Sequence, residues 1–266
     1  MDLKLTDINK ITLFTNIFVQ LKKFTSDISM DFSKKGLYIQ SMDSNHVCIF
    51  ECVVGNDWFD SYTFKSKQDD AVFQLGISSH SVHKVMSVFD KSQSFNMKYV
   101  EEGDYLEFNF TDGDKKTTCD KDLVIPLYDF YSDALNLTTP ESDVDLIIES
   151  KKMGEIITQL KLFNESVLFN FNEETIVMKS TSEGETNMIG EDTMAVNMNF
   201  DDVIEYGISS VISDTYNINY LVTICGFGKL AKEMKLEFTK EKPMVVTYNI
   251  GECAFVKFYV APKANL

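Results

Sequence analysis

Apolar residues at Ile8, Ile11, Phe14, Phe18 and Leu21 recur every three or four positions, and Asn9, Lys10, Asn16 and Lys23 mark the other face. This is the period of an amphipathic helix, with Thr6 or Asp7 as its cap. Beyond it the pattern turns to alternation and β-branched or aromatic runs, which predict strands over about 27–33, 36–41, 46–54, 58–66 and 71–76. A shorter helix is expected over 78–91, capped by Ser78 or Ser79, with Val82, Val85, Met86 and Phe89 inward and His83 and Lys84 outward. Strands at 94–100 and 104–111 close this half. Within it, residues 36–49 (GLYIQSMDSNHVCI) read as a hairpin: Leu37 and Ile39 alternate with Tyr38 and Gln40, Ser41 to Asn45 supplies turn chemistry, and Val47 to Val54 is the second run.

The second half repeats the first. At a constant offset of 139 residues, Leu21, Phe24, Ile28, Phe32, Leu37, Ile39 and Ser41 match Leu160, Phe163, Val167, Phe171, Ile176, Met178 and Ser180. Val82, Val85 and Tyr99 match Leu221, Ile224 and Phe238 at the same spacing. Helix falls on helix and strand on strand, so the pattern predicts an α+β chain of two duplicated domains, 1–117 and 143–266, with helices over 149–163 and 215–229 in the second. Shared binary patterning alone would be the alternative. Residues 118–142 read as a connecting segment. Its Leu123, Val124, Ile125, Leu127, Phe130, Tyr131, Leu135 and Leu137 are too apolar for a solvated tether, so part of it is expected to lie on the protein.

Charge changes the picture. The formal net charge is −16, which argues against phosphate binding over most of the surface. The basic residues are all Lys, which removes bidentate reading of guanine and leaves point-charge contacts. Yet the four helical windows hold nine Lys against four acids, so positive charge is sorted onto the helices. Five scattered cysteines, at 48, 52, 119, 225 and 253, form neither a disulfide framework nor a zinc pattern and are read as reduced packing residues. No apolar run is long enough to span a bilayer and no signal-peptide core is present, so an intracellular chain with no membrane partner is expected. The Asn-x-Ser/Thr triplets at Asn109, Asn136 and Asn164 are then chance matches. Asp112 and Asp114 beside Gly113, or Asp201 with Asp202, are acid pairs to weigh as a metal-dependent nuclease site, but acid pairs are expected at turns in so acidic a chain. No nucleophile motif or ligand set accompanies them, so no enzyme, cofactor or metal site is expected.

The stretches GLYIQSMDSNHV (36–47), PMVVTYNI (243–250) and KFYVAPK (257–263) closely resemble the eukaryotic sliding clamp family, proliferating cell nuclear antigen. The resemblance implies a DNA-clamp fold whose three copies close into a homotrimer ring, helices lining the hole around double-stranded DNA and antiparallel sheets outside. It implies a DNA processivity factor that docks polymerase and other PIP-box proteins and is opened by an ATP-dependent clamp loader. By the same resemblance, Lys10, Lys22, Lys23, Lys84, Lys91, Lys151, Lys152, Lys161 and Lys229 would face DNA. Thr15, Asn16, Ser87, Glu155, Thr158 and Gly226 stand where relatives often carry a base. Met42, His46, Val47, Ile49, Leu135, Leu137, Pro243, Tyr259, Ala261 and Pro262 would form the partner groove. Ring closure would pair strand 105–110 (Tyr105, Leu106, Phe108, Phe110) of one subunit with 175–181 (Thr175, Val177, Lys179, Thr181) of the next, unless both are covered within one chain. A checkpoint-type subunit of a heterotrimer or a monomeric processivity factor is the alternative. Localisation would be the nucleus or, given the Lys-, Asn- and Ile-rich usage of an AT-rich genome, a cytoplasmic viral replication site.

Overall fold

The computed structural model describes residues 1–68, 70–113, 118–130, 135–137, 141–182 and 190–264. They divide into two compact units, Met1–Ser44 with Phe50–Leu135 and Asn249–Val256, and Asn45–Ile49 with Asn136–Tyr248 and Lys257–Leu266. The first unit contains β1 (Asp2–Leu5), α1 (Ile8–Leu21), β2 (Asp27–Ser33), β3 (Gly36–Met42), β4 (Cys48–Gly55) from Phe50 on, β5 (Ser61–Thr63), β6 (Phe73–Ser78), α2 (Ser79–Ser87), β7 (Ser94–Tyr99), β8 (Tyr105–Thr111) and β9 (Lys121–Pro126). The second contains β10 (Val144–Glu149), α3 (Ser150–Leu160), β11 (Ser166–Phe171), β12 (Ile176–Thr181), β13 (Thr193–Met198), β14 (Glu205–Ile208), β15 (Ile212–Asn217), α4 (Ile218–Cys225), β16 (Glu233–Phe238), β17 (Met244–Gly251) as far as Tyr248 and β18 (Ala254–Val260) from Lys257 on.

The two units share one strand order. In the first, neighbours run β5-β1-β7-β8-β9 and β6-β2-β3-β4; in the second, β14-β10-β16-β17-β18 and β15-β11-β12-β13. The ladders are antiparallel, with Leu3 opposite both Tyr62 and Met97 and Phe169 opposite both Met178 and Asp214. The repeat spacing survives from the helix ends onward, since α1 ends at Leu21 and α3 at Leu160, and β6 and β15 begin at Phe73 and Ile212. It breaks at the opening strands: Leu5 stands opposite Phe95, whereas the residue opposite Met234 is Ile148. Most of the shift comes from helix length, 14 residues in α1 against 11 in α3, and the rest from the connection, since Thr6 and Asp7 separate β1 from α1 while β10 runs directly into α3.

α1 and α2 bury most of the stripe their period predicts, but Ile8 is half-buried, and Phe89 lies beyond the end of α2 and is half-buried. α1 buries Ile11, Phe14, Ile17, Phe18 and Leu21, and the Phe14 ring meets Phe18, Phe95, Phe59 and Trp58 at centroid distances of 5.1, 5.6, 5.9 and 6.3 Å. Truncating such a ring costs on the order of 3–5 kcal/mol. In the second unit Phe169, Phe171, Tyr216 and Phe238 form the matching cluster, all fully buried.

Three expectations are corrected. Residues 58–66 are not one strand: Asn56–Trp58 is a 3-10 turn and β5 has three residues. Trp58 and Phe59 are consecutive and both buried, which a pleated strand cannot achieve on one face. Residues 121–126, assigned to the connecting segment, are strand β9, paired with β8 from Tyr105↔Pro126 to Phe110↔Lys121. Lastly, Cys48 and Cys52 are buried but Cys119 and Cys253 are exposed, so these two are not packing residues; all five are free thiols.

Candidate functional site

The expected DNA-facing lysines separate into free and paired groups. In the first unit Lys22 caps the end of α1, where an ammonium favours the helix dipole, and its side chain is exposed. Lys23 is exposed beside it and donates to Gln20 Oε1 at 3.0 Å. Lys84 on α2 and Lys91 beyond it are exposed too. Lys10 is different. Its ammonium donates to Trp58 O at 2.7 Å and to Asp60 Oδ1 at 3.1 Å, and lies 5.7 Å from the Trp58 ring centroid. Burial alone would push the Asp60 carboxyl up, but the Thr6 hydroxyl and amide, Lys10 and the Asp7 amide together hold it below the usual carboxylate range. Lys10 is thus part of the clip that seats the start of α1. Thr15 likewise faces inward, donating to Ile11 O at 2.9 Å.

The second unit presents fewer free charges. Lys152 is bound to Asp202, 2.8 Å to Oδ1 and 3.0 Å to its carbonyl, and Asp202 in turn caps its own short turn through the Asn199 amide. Lys151 lies 3.9 Å from Glu155 one helical turn on. Lys161, at the end of α3, and Lys229, after α4, are exposed. Between α3 and α4, Lys151 and Lys229 line a cleft of about 740 Å³ together with Gly154, Thr158, Val222 and Gly226.

Of the expected partner residues, Met42 and Leu135 belong to the first unit. Tyr38, Gln40 and Met42 share one face of β3 by the two-residue period of a strand. The buried Gln40 amide clips the backbone of Leu135, donating to its carbonyl at 3.0 Å and accepting its N–H at 2.6 Å, and Tyr38 donates to Glu51 at 3.2 Å beneath it. Burial and the Glu51 carboxylate push the Tyr38 phenol up to about 12, so it stays a neutral donor. The clip leaves two apolar side chains in water on this face of the first unit, Met42 at 38 % and Leu135 at 45 % exposure. Sequence reading missed Gln40, because a glutamine in a strand carries no signal of its distant partner.

The connecting chain is tied down further at Tyr128, whose hydroxyl donates to Asp27 and whose N–H donates to Gly76 O at 3.2 Å. A Cβ on Gly76 would lie 2.3 Å from the Tyr128 carbonyl, so only glycine admits this crossing. Tyr131, Asp133 and Pro140 of the segment lie outside the described residues.

His46, Val47, Ile49, Leu137, Pro243, Tyr259, Ala261 and Pro262 belong to the second unit. His46 adopts φ 59°, the left-handed bend that ends the β3–β4 loop. Ala261 donates to Val47 O at 2.9 Å, joining the tail to that loop. Pro243 is exposed, Val47, Ile49, Leu137, Ala261 and Pro262 are half-buried, and Tyr259 is buried. Of the acid pairs, Asp112 accepts the Thr118 N–H at 2.9 Å and Asp202 is the cap and ion pair described above. Asp114 lies outside the described residues.

The expected pairing of 105–110 with 175–181 of another copy is overturned. β8 is flanked by β7 and β9, and β12 by β11 and β13, so Leu106, Phe108 and Phe110, and Val177 and Lys179, stand in occupied ladders on both sides, while Tyr105 pairs with Pro126 of β9 and Thr181 with Thr193 of β13. Thr175, the residue before β12, accepts from the Asn172 N–H at 3.1 Å. The exposed edges lie one strand further out, at β9 and β13. Leu123-Val124-Ile125-Pro126 was the available signal, a β-branched run ended by a proline that only an edge tolerates.

Comparison with known proteins matches residues 4–134 to the N-terminal domain and residues 138–263 to the C-terminal domain of proliferating cell nuclear antigen. The chain belongs to the proliferating cell nuclear antigen family. Similar relatives include the proliferating cell nuclear antigens of Chaetomium thermophilum, 24% identical with 96% of both chains covered, and of Caenorhabditis elegans, 25% identical with 95% of this chain and 94% of the relative covered. Proliferating cell nuclear antigen 2 of Drosophila melanogaster is 24% identical, with 97% and 96% covered. The fold is accordingly the duplicated α+β DNA clamp and the function that of a DNA sliding clamp in replication and repair, in a family that is not enzymatic. No described helix is long and apolar enough to cross a membrane.

Proposed function

We propose that this sliding clamp acts as a homotrimer ring around double-stranded DNA, closed head to tail by β9 of one copy against β13 of the next. The observation that carries the reading is which strand edges stay open. β6 is crossed by Tyr128, β15 is met by Lys263, which donates to Thr215 O at 2.7 Å, and β5 and β14 are only three and four residues long. Within their own units, β4 is met at Gly55 by Cys253 O at 2.8 Å, and the chain after β18 is met by Val47. β9 and β13, six residues each, remain uncovered among the described residues, and Val124 on β9 is 58 % exposed. A long open edge invites mispairing, and two different edges that complement each other make a heterologous contact, which closes a ring when the rotation fits.

In this reading the exposed lysines of the helices attract the duplex diffusely, with no base reading, and topology holds the ring on DNA. Polymerase and other PIP-box proteins dock through apolar side chains, the exposed Met42 and Leu135 on the first unit and the half-buried Val47, Ile49, Leu137 and Pro262 on the second. Loading falls to a separate ATP-dependent loader. The work is done inside the cell, at nuclear or cytoplasmic viral replication sites.

Mass in solution tests the ring: three times the 30.4 kDa chain is expected, and a monomer at micromolar concentration overturns it. Val124→Asp should yield a folded monomer, because a charge buried in the new ladder is costly. A trimer unchanged by that substitution overturns the assignment of the edge.

A further inference from the structure

We propose that His80 and His83, together with Lys22, Lys23 and Lys84, form a phosphate-contacting patch on the first unit in which the His83 imidazole takes up a proton as duplex DNA seats on it. The proposal rests on the DNA-encircling reading above and adds a proton to it. His80, His83 and Lys84 stand at i, i+3 and i+4 on α2, one face of that helix. α1 packs against α2 and brings Lys22 and Lys23 from its end. In a chain of net charge −16, each charged group that bears on His83 is a cation or another imidazole.

The acids nearby are engaged elsewhere. Asp27, before α2, is held by Ser26 and Tyr128; Asp90, after it, is held by Ser92. Of the strands packed on α2, β6 carries no ionisable side chain. β9 carries Lys121, whose ammonium is bound to Val88 O and Gln93, and Asp122, bound to Asn109.

The His83 ring is poised for this role. Its Nδ1 is buried without a hydrogen-bond partner among the described residues, so an N–H there would go unpaired and the free protein favours the neutral ring. Burial first, then Lys22, His80 and Lys23, hold the imidazole below its ordinary value, so free protein at neutral pH carries it uncharged. A phosphate among these cations reverses the sign of the local field. It favours the imidazolium and offsets the exposure of a fixed positive cluster in the unbound clamp. Binding and protonation are then linked, and affinity must rise as pH falls through the range in which only the bound form holds the extra proton.

The test is the affinity of the full-length protein for a short fluorescent duplex at low salt, measured between about pH 8 and about pH 6. One linked proton changes affinity by at most about tenfold per pH unit, so a gain of roughly tenfold across the range is expected. The chain has only three histidines, and the third, His46, lies outside α2. His80→Gln with His83→Gln should flatten the profile between about pH 8 and about pH 6. His83→Lys should bind near pH 8 as the native protein binds near pH 6. A wild-type slope retained in the glutamine double variant, or no gain from the lysine, overturns the proposal. Lys22→Glu with Lys84→Glu separates it from the reading beneath: if that pair leaves binding unchanged at every pH, this face does not meet DNA and both fail. If it weakens binding while the glutamine variant keeps the slope, only the proton linkage fails.

Discussion

The two units share a strand order and a helix pair, yet they treat positive charge differently. On the first, Lys22, Lys23, Lys84 and Lys91 stand in solvent with no acid bound to them among the described residues. On the second, Lys152 is tied to Asp202 and Lys151 faces Glu155, leaving Lys161 and Lys229 exposed. Duplication copied the scaffold, including the lysine at the end of the leading helix, Lys22 in one unit and Lys161 in the other. It did not copy the field. A paired lysine still counts in composition, but its attraction for a distant phosphate is cancelled by its partner within a Debye length of about 8–10 Å. The first unit should therefore carry most of the attraction for DNA.

The largest expected effect comes from reversing charge where it is free. Lys22→Glu with Lys84→Glu should reduce processive synthesis on primed circular DNA by on the order of tenfold, because reversal replaces attraction with repulsion at each phosphate contact. Lys152→Glu should cost far less, and equal losses from the two would break the comparison. A second contrast concerns β3 and its copy β12. Met42 ends β3 in solvent, whereas the residue at the same place in β12, Thr181, has its carbonyl bound by Asn164 at 2.5 Å. Met42→Ala should weaken a PIP-box peptide several-fold, in line with losing about 1 kcal/mol of apolar contact, and leave the assembly mass unchanged. Unaltered peptide affinity in a titration would remove Met42 from the surface. The smallest effect is expected from Asp202→Asn, which frees Lys152. Exposed ion pairs are worth roughly 0–1 kcal/mol, so DNA affinity at low salt should rise by no more than about fivefold. A fall in affinity would mean that Lys152 acts through the pair rather than despite it.

Much of this was legible in the residues. The α1 stripe of Ile11, Phe14, Phe18 and Leu21, the Leu37/Ile39 alternation and the repeat spacing are local patterns, and local patterns report burial directly. β9 escaped because a four-residue aliphatic run ending in Pro126 has no period long enough to read, and its strand character comes from β8. The interface strands were misplaced for the same reason. Alternation in Tyr105–Thr111 identifies a strand but says nothing about whether its neighbours are present, and here they are. Lys10 read as a lining charge because sequence shows an ammonium on a helix face and not the Asp60 carboxylate some fifty residues away that neutralises it.

By itself the sequence determined the duplicated α+β architecture, the helix faces and the sorting of lysines onto helices. These follow from periodicity and composition, which are properties of neighbours along the chain. Tertiary structure alone decided which lysines are free, which strands are edges and which residues hold Leu135 in place. Those depend on partners brought together from Asp60 and Lys10, Asp202 and Lys152, or Gln40 and Leu135. The physical reason is range: apolar burial is encoded by local pattern, whereas the cancellation of a charge or the capping of a strand edge requires a specific group within a few ångströms, wherever it lies in the chain.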